Sequence, residues 1–313
     1  MKTDKFQTAL KKYFDKYKTH PRYEFWIKDH LWKVGIPNSE VLDYIYNIVE
    51  YIHKNYLSSF KKNEIKILDL GCGMGEFAVF LSLSGYYVVG VDMDKEQLKI
   101  AKILKEENKA KVEFINTDAT KLPFKDEEFD IIICFDVFEH VDDLQPICNE
   151  MWRILKNDGV IFLRFPNKLK GYEDHVGLPL LPLLPERIFQ FVFRKIIKSR
   201  KYYQEGLYVY YRRFSEVYQV LTAANFHISQ LPEHLMFPRL PRMYKRLIRN
   251  NVQYIPIISP YFHFLLTKKP VDSSLQNLDI RKIKLFEFIW WFFVLIISIA
   301  SVFKNTISKK NRR

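Results

Sequence analysis

Residues 67–76 read Ile-Leu-Asp-Leu-Gly-Cys-Gly-Met-Gly-Glu. They lie where a β-rich run gives way to a helical pattern, so Gly71, Gly73 and Gly75 permit a tight turn and close approach of backbone to a ligand. Such a loop has low specificity by itself, and charge decides what it can cradle. A dinucleotide-binding fingerprint would place its third glycine at position 76, where this chain has Glu76, and Asp69 stands just before the loop. Two carboxylates there repel a pyrophosphate, which argues against a nicotinamide-dependent oxidoreductase. The same carboxylates favour an ammonium or sulfonium group.

Three further acids fall at the ends of β-rich runs. Asp92 closes Val89-Gly-Val-Asp92 at the spacing from the glycine loop at which an acid reaches ribose hydroxyls, and a carboxylate can accept from two vicinal hydroxyls at once. Asp118, in Asn116-Thr-Asp-Ala119, would accept from an exocyclic amine at the carboxyl edge of a sheet, and Asp136 closes the next run. Four strands that each deliver an acid to one edge are a more specific sign than any one of them.

The elements that must position these acids follow from periodicity. Short β-rich runs at 66–70, 87–92, 112–118, 130–136 and 159–166 alternate with helical stretches, the pattern of βαβ units around a parallel sheet. The run 130–136 is apolar on both faces, as a central strand should be. Ahead of them, Leu42, Ile45, Tyr46, Val49 and Ile52 form a stripe at helical period, so 1–64 reads as a helical N-terminal cap. After Pro166 the alternation stops, and the prolines of 178–185 exclude a helix or interior strand, leaving an inserted lid over about 167–213. Ser215 is the expected N-cap of a helix to Asn225, followed by strands at 227–231 and 261–267 and a polar linker at 271–282.

These features resemble the class I, Rossmann-like S-adenosylmethionine-dependent methyltransferases, in particular the group with a type 11 methyltransferase domain. The resemblance covers 66–166 and extends to the strand at 261–267 with Lys268-Lys-Pro270. It implies an α/β, doubly wound, mostly parallel seven-stranded sheet, with the methyltransferase domain spanning 65–270. By the same resemblance Asp69, Gly71, Gly73 and Gly75 hold the methionine end of S-adenosylmethionine, and Asp92, with Met93 beside it, the ribose. Asp118 and the Ala119 backbone would hold the adenine, while Phe135 and Asp136 line the sulfonium side.

Methyl transfer from a sulfonium is an in-line displacement, and a general base is needed only where the acceptor must lose a proton. Glu139 and His140 follow the fourth strand, close to the expected methyl position. His140 is a candidate base because imidazole titrates near neutrality; equally, this stretch could serve to order its loop. His175, in Tyr172-Glu-Asp-His175, is a second candidate, against the simpler reading of an exposed loop histidine. Tyr202, Tyr203, Tyr208, Tyr210 and Tyr211 could wall a pocket or be ordinary packing. Asp94 and Asp142 read as helix caps, Cys72 and Met74 as filling beside the loop.

Charge and hydropathy bound the partners. The chain has 313 residues and a formal charge of +13, yet 65–165 holds 12 Lys+Arg against 19 Asp+Glu, a net −7 that leaves +20 for the rest. An acidic core suits a cationic small molecule and basic appendages suit something anionic, such as a lipid surface. Cys72, Cys134 and Cys148 have no paired spacing, so neither a disulfide framework nor a metal site is expected. Residues 187–201 alternate aromatics with Arg and Lys as a basic amphipathic helix that could lie on a membrane or pack on the domain. The basic face of Arg239, Arg242, Lys245, Arg246 and Arg249 could be simply solvated. Residues 285–303 carry one charge, Glu287, over 19 positions, roughly 28 Å of helix and enough for a bilayer core, with Trp290 and Trp291 near one end. Residues 283–313 are therefore expected to form a hydrophobic membrane-associated helix with a basic tail. No apolar stretch near the start of this sequence reads as a secretory signal, so the catalytic part is expected on the cytosolic side. The expected function is methylation of an amphiphilic or lipid-linked acceptor (a glycolipid, polysaccharide precursor or quinone-like molecule). The alternatives are an RNA methyltransferase, although no RNA-binding motif is visible, and a non-catalytic S-adenosylmethionine-binding scaffold.

Overall fold

A computed structural model describes residues 4–15, 40–170, 172–173, 178–200, 209–232, 235, 261–271, 278–292 and 294. Its centre is a seven-stranded sheet. The strands are β1 (Lys66–Leu70), β2 (Tyr87–Asp92), β3 (Val112–Asn116), β4 (Phe129–Phe135), β5 (Leu155–Pro166), β8 (His227–Gln230) and β9 (Tyr261–Thr267), arranged in the order β3-β2-β1-β4-β5-β9-β8. The pairs from β3 to β5 are parallel, while β9 runs antiparallel to both β5 and β8. Strand order reverses between β1 and β4, which opens a crevice outside their carboxyl ends. The strands expected at 66–70, 87–92 and 261–267 have those bounds, and the others agree to within a few residues, β5 beginning earlier, at Leu155.

Apolar alternation drives both faces of the sheet into packed layers. On one side Ile67, Ile131, Ile133, Val160 and Phe162 meet the buried stripe Ile45, Ile48, Val49 and Ile52 of helix α2 (Glu40–Tyr56), with α3 (Glu76–Leu83) and α4 (Lys95–Asn108). Helix α1 (Asp4–Phe14) lies along α4, and the Glu107 carboxylate accepts from the first-turn amides of Lys5 and Phe6. On the other side Leu68, Ile132, Ile161 and Leu163 pack on α5 (Leu144–Ile154) and α7 (Phe214–Ala223).

The insert after β5 contains the short pair β6 (Tyr172–Glu173) and β7 (Leu178–Pro179) and helix α6 (Glu186–Arg200). Phe189 and Phe193 of α6 are buried with Leu181, Val209 and Tyr211, so this basic helix turns one apolar face onto the protein and leaves Ile188 and Phe191 exposed.

Two caps differ from expectation. Asp94 caps α4, accepting from the amides of Glu96 and Gln97, but α5 is capped by Asp143 rather than Asp142. Helix α7 starts at Phe214 with Arg213 at its cap position, so Ser215 lies inside the first turn, where it meets the C-terminal helix α8 (280–292).

That helix changes the reading of the hydrophobic tail. Ile283 and Glu287 are buried, Phe286, Trp290 and Trp291 pack on the core, and Trp291 Nε1 donates to the Leu183 carbonyl at 3.2 Å. Leu285, Phe288, Ile289 and Phe292 point away, 55–61% exposed. No helix among the described residues is long and apolar enough to cross a membrane, so the expected span at 285–303 lacks support; its part beyond Val294 lies outside the described residues.

Candidate functional site

The glycine loop leaves β1 and enters α3 with all three glycines left-handed, at φ 75°, 52° and 80° for Gly71, Gly73 and Gly75. A Cβ on Gly71 would stand 2.4 Å from Val137 Cγ2, and one on Gly75 would be 2.7 Å from the Phe114 ring. A side chain at either place is excluded by space as well as by backbone. Asp92 draws the loop toward β2, accepting from the Gly73 amide at 2.8 Å and, on its other oxygen, from the Asp94 amide.

Below the loop Asp69 is 2% exposed, and its Oδ2 is buried with no hydrogen-bond partner. Burial, then the charges of Glu76 and Asp92, push its carboxyl up to about 8, and burial also raises Asp92 above the usual carboxylate range. An uncompensated acid cluster of this kind is unfavourable by itself and becomes favourable around a cation. The orphaned Asp69 oxygen and the side-chain-free cradle therefore fit the cationic methionine end of S-adenosylmethionine. Cys72, buried against these acids, has its thiol pushed up by burial and serves as filling.

The remaining residues expected around a cofactor are spread along the same edge. Met93 is 77% exposed beside Asp92. Asp118 is exposed two residues beyond β3, with Oδ1 accepting from the Thr120 amide and hydroxyl, and Ala119 rests on the core. Phe135 ends β4 and packs edge-on to Phe77 of α3. Asp136 follows in a left-handed conformation (φ 55°) and is ion-paired with Arg164 of β5.

Past Asp136 a single helical turn, Phe138–His140, separates two residues that are adjacent in sequence. Glu139 is buried at 4% exposure, and burial followed by the Asp136 charge raises its carboxyl well above its usual range. His140 is exposed, as a residue must be to meet an entering acceptor. The insert closes over this turn, where Tyr210 N donates to Glu139 O and Arg212 donates to the carbonyls of Phe138 and Val141. Tyr211 is buried packing. His175, Tyr202, Tyr203, Tyr208 and the basic face at 239–249 lie outside the described residues.

Sequence reasoning missed Arg164, Tyr44 and His263. Arg164 stands in the apolar run Val160-Ile-Phe-Leu-Arg164, pairs in register with Phe135 on β4 and His263 on β9, and lies between the rings of Phe135 (4.3 Å) and Tyr261 (3.9 Å). The signal available was the charge itself, since an arginine inside a buried strand needs a partner.

Comparison with known proteins agrees with this geometry. Residues 68–163 match the family profile described as a methyltransferase domain. A ubiquinone biosynthesis O-methyltransferase of Pelagibacter ubique is 34% identical over 133 residues, which cover 40% of this chain and 55% of that protein's length. The enzyme of the same name from Rickettsia prowazekii is 26% identical, over 58% of this chain and 67% of its own. A crystal structure of a S-adenosylmethionine-dependent methyltransferase from Clostridium acetobutylicum shares the fold, with a TM-score of 0.50 at 15% identity over 78% of this chain and 97% of that one. Residues 68–163 therefore match a methyltransferase domain, set within the Rossmann-like fold of the S-adenosylmethionine-dependent methyltransferases.

Proposed function

We propose that this protein is an enzyme that moves the methyl group of S-adenosylmethionine to a hydroxyl oxygen of an amphiphilic, quinone-like acceptor at a membrane surface. The observation that carries the cofactor half is buried Asp69, with half-buried Asp92 nearby, at a cradle of left-handed glycines, with Asp69 Oδ2 left for a cation. The acceptor half rests on the similarity to ubiquinone biosynthesis O-methyltransferases, of which the first match spans just over half of the relative. S-adenosylmethionine, when bound, supplies an electrophilic methyl carbon on sulfur.

The chain's own part is placement and proton handling. Asp69 and the loop fix the cationic end, Asp92 with Met93 the ribose side, and Asp118 with Ala119 the adenine side. Phe135 and Asp136 face the reacting centre. His140, exposed at the end of its one-turn helix, takes the hydroxyl proton as the acceptor oxygen bonds to carbon and the carbon–sulfur bond breaks. Water exclusion falls to the insert, whose segment 209–212 already covers the Glu139 turn.

For the membrane, the exposed stripe of Leu285, Phe288, Ile289 and Phe292 recurs at helical spacing beside the exposed cations Arg281, Lys282 and Lys284. That combination suits a helix lying in a lipid interface, with the active site on the cytosolic side. The test is a transfer assay with methyl-labelled S-adenosylmethionine and a demethylated quinol presented in anionic vesicles. Label in an extractable methyl ether supports the reading, and label found only in an RNA or protein fraction contradicts it.

A further inference from the structure

Helix α1 is tied to helix α4 at both ends. At its start the Glu107 carboxylate accepts from the Lys5 amide at 2.9 Å and the Phe6 amide at 3.1 Å, and at its end the Tyr13 hydroxyl donates to Asp94 Oδ2 at 3.2 Å. Between these ties Phe6, Leu10 and Phe14 are buried in the layer shared with α2, α3 and α4. That docking needs only apolar side chains at helical spacing. Tyr13 adds a polar tie, and the residue it reaches is both the N-cap of α4 and a near neighbour of the ribose-side acid Asp92.

Asp94 acts on Asp92 through its backbone amide, which donates to Asp92 Oδ1 at 2.8 Å, and through its charge. The Gly73 amide holds Asp92 Oδ2, also at 2.8 Å. The two amides thus set the plane of the carboxylate and leave on each oxygen a lone pair for a hydroxyl. Where the Asp94 amide stands depends on how the cap is held. Asp94 Oδ1 accepts from the Glu96 and Gln97 amides, while Oδ2 takes the Tyr13 hydroxyl and, at 3.1 Å, the Gln97 side-chain amide. Gln97 in turn reaches the glycine loop, where its Oε1 lies 3.0 Å from the place of a Cβ on Gly73. A chain of contacts therefore runs from α1 through Asp94 and Gln97 to both walls of the crevice, Asp92 on β2 and Gly73 on the loop.

We propose that Tyr13 is a positioning residue for the cofactor: by holding the Asp94 carboxylate it fixes the amide that aims Asp92 at the ribose hydroxyls. The inference rests on the S-adenosylmethionine reading of the crevice and adds to it a role for the N-terminal cap beyond packing. Coupling of this kind is reciprocal, so what Tyr13 gives to cofactor affinity, bound cofactor returns to the docking of α1.

The experiment compares wild type, Tyr13→Phe and Glu107→Ala, each as the full chain. It uses calorimetric titration with S-adenosylhomocysteine, thermal melts without ligand, and amide hydrogen exchange over residues 4–15 with and without S-adenosylhomocysteine. Tyr13→Phe keeps the ring and deletes the hydroxyl. Glu107→Ala loosens the same helix at the end away from the crevice, and so reports what docking alone contributes. Tyr13→Phe should bind about fivefold more weakly, the loss of a hydrogen bond to a carboxylate felt at one remove. Glu107→Ala should bind as wild type does, despite a lower melting midpoint. S-adenosylhomocysteine should slow exchange over 4–15 in wild type and slow it less in Tyr13→Phe. Unchanged affinity in Tyr13→Phe, or an equal loss in both variants, would overturn the proposal, the second because it reduces α1 to packing. A wild type that binds no S-adenosylhomocysteine contradicts the cofactor reading itself, and the relay with it.

Discussion

Glu287 of helix α8 caps helix α7 from 72 residues away, its two carboxylate oxygens accepting from the Ser215 backbone amide at 2.9 Å and the Ser215 hydroxyl at 2.7 Å. The sole acid of the hydrophobic tail thus satisfies a first-turn amide that α7 cannot satisfy itself. The tail is fastened to the methyltransferase domain by a buried polar contact as well as by Ile283, Trp290 and Trp291.

Replacing Glu287 with Ala should therefore lower unfolding free energy by about 1–3 kcal/mol, the cost of orphaning a buried donor pair. Glu287→Gln keeps one acceptor and should cost less. Denaturant titration of both variants checks the order.

Asp69 makes both stability and cofactor binding depend on pH. The folded protein without cofactor holds the Asp69 proton up to about pH 8, whereas an unfolded aspartate releases it near pH 4, by its ordinary value. Across that window the native state binds more protons, so stability should fall as pH rises through it, and Asp69→Asn should flatten the fall. A cationic ligand favours the ionised acid. S-adenosylmethionine affinity should accordingly rise from pH 6 to pH 8, and binding at pH 7 should release a proton, read from titrations in buffers of different ionisation enthalpy.

Two of the three loop glycines should separate crowding from backbone strain. Gly71→Ala meets Val137 at 2.4 Å and a left-handed φ, while Gly73→Ala meets only the flexible end of Gln97, at 3.0 Å. Strain alone costs roughly 1–2 kcal/mol. Gly73→Ala should fold with about that loss and reduced cofactor affinity, and Gly71→Ala should lose more, as thermal melts with and without cofactor would report.

How much of this was legible in the sequence depends on how far apart the partners lie. The strands and the acidic glycine loop could be read because apolar runs, three glycines and Asp69 sit within a few residues of one another. The cluster around Arg164 could not, since Tyr44, Asp136, Arg164 and His263 come together only once β4, β5, β9 and α2 have assembled. Ser215 looked like a cap because its type favours that position, while its true partner, Glu287, lies in another element. Hydropathy over 285–303 sums every residue regardless of face and so concealed that Phe286, Glu287 and Trp291 belong to a docked one.

The exposed face of α8 yields a separate expectation. Changing Leu285, Phe288, Ile289 and Phe292 together to Ser leaves the docked face intact, so the fold should persist by circular dichroism. Sedimentation with anionic vesicles should drop several-fold if that stripe enters the interface, and undiminished sedimentation would place lipid contact elsewhere.

The central claim is that the acidic glycine crevice holds S-adenosylmethionine. Calorimetric titration of the full chain with S-adenosylmethionine and, separately, with NAD tests it most directly, alongside Asp92→Ala. The account predicts saturable binding of S-adenosylmethionine that Asp92→Ala abolishes, and no binding of NAD. Binding of NAD, or S-adenosylmethionine binding that Asp92→Ala leaves untouched, would contradict it.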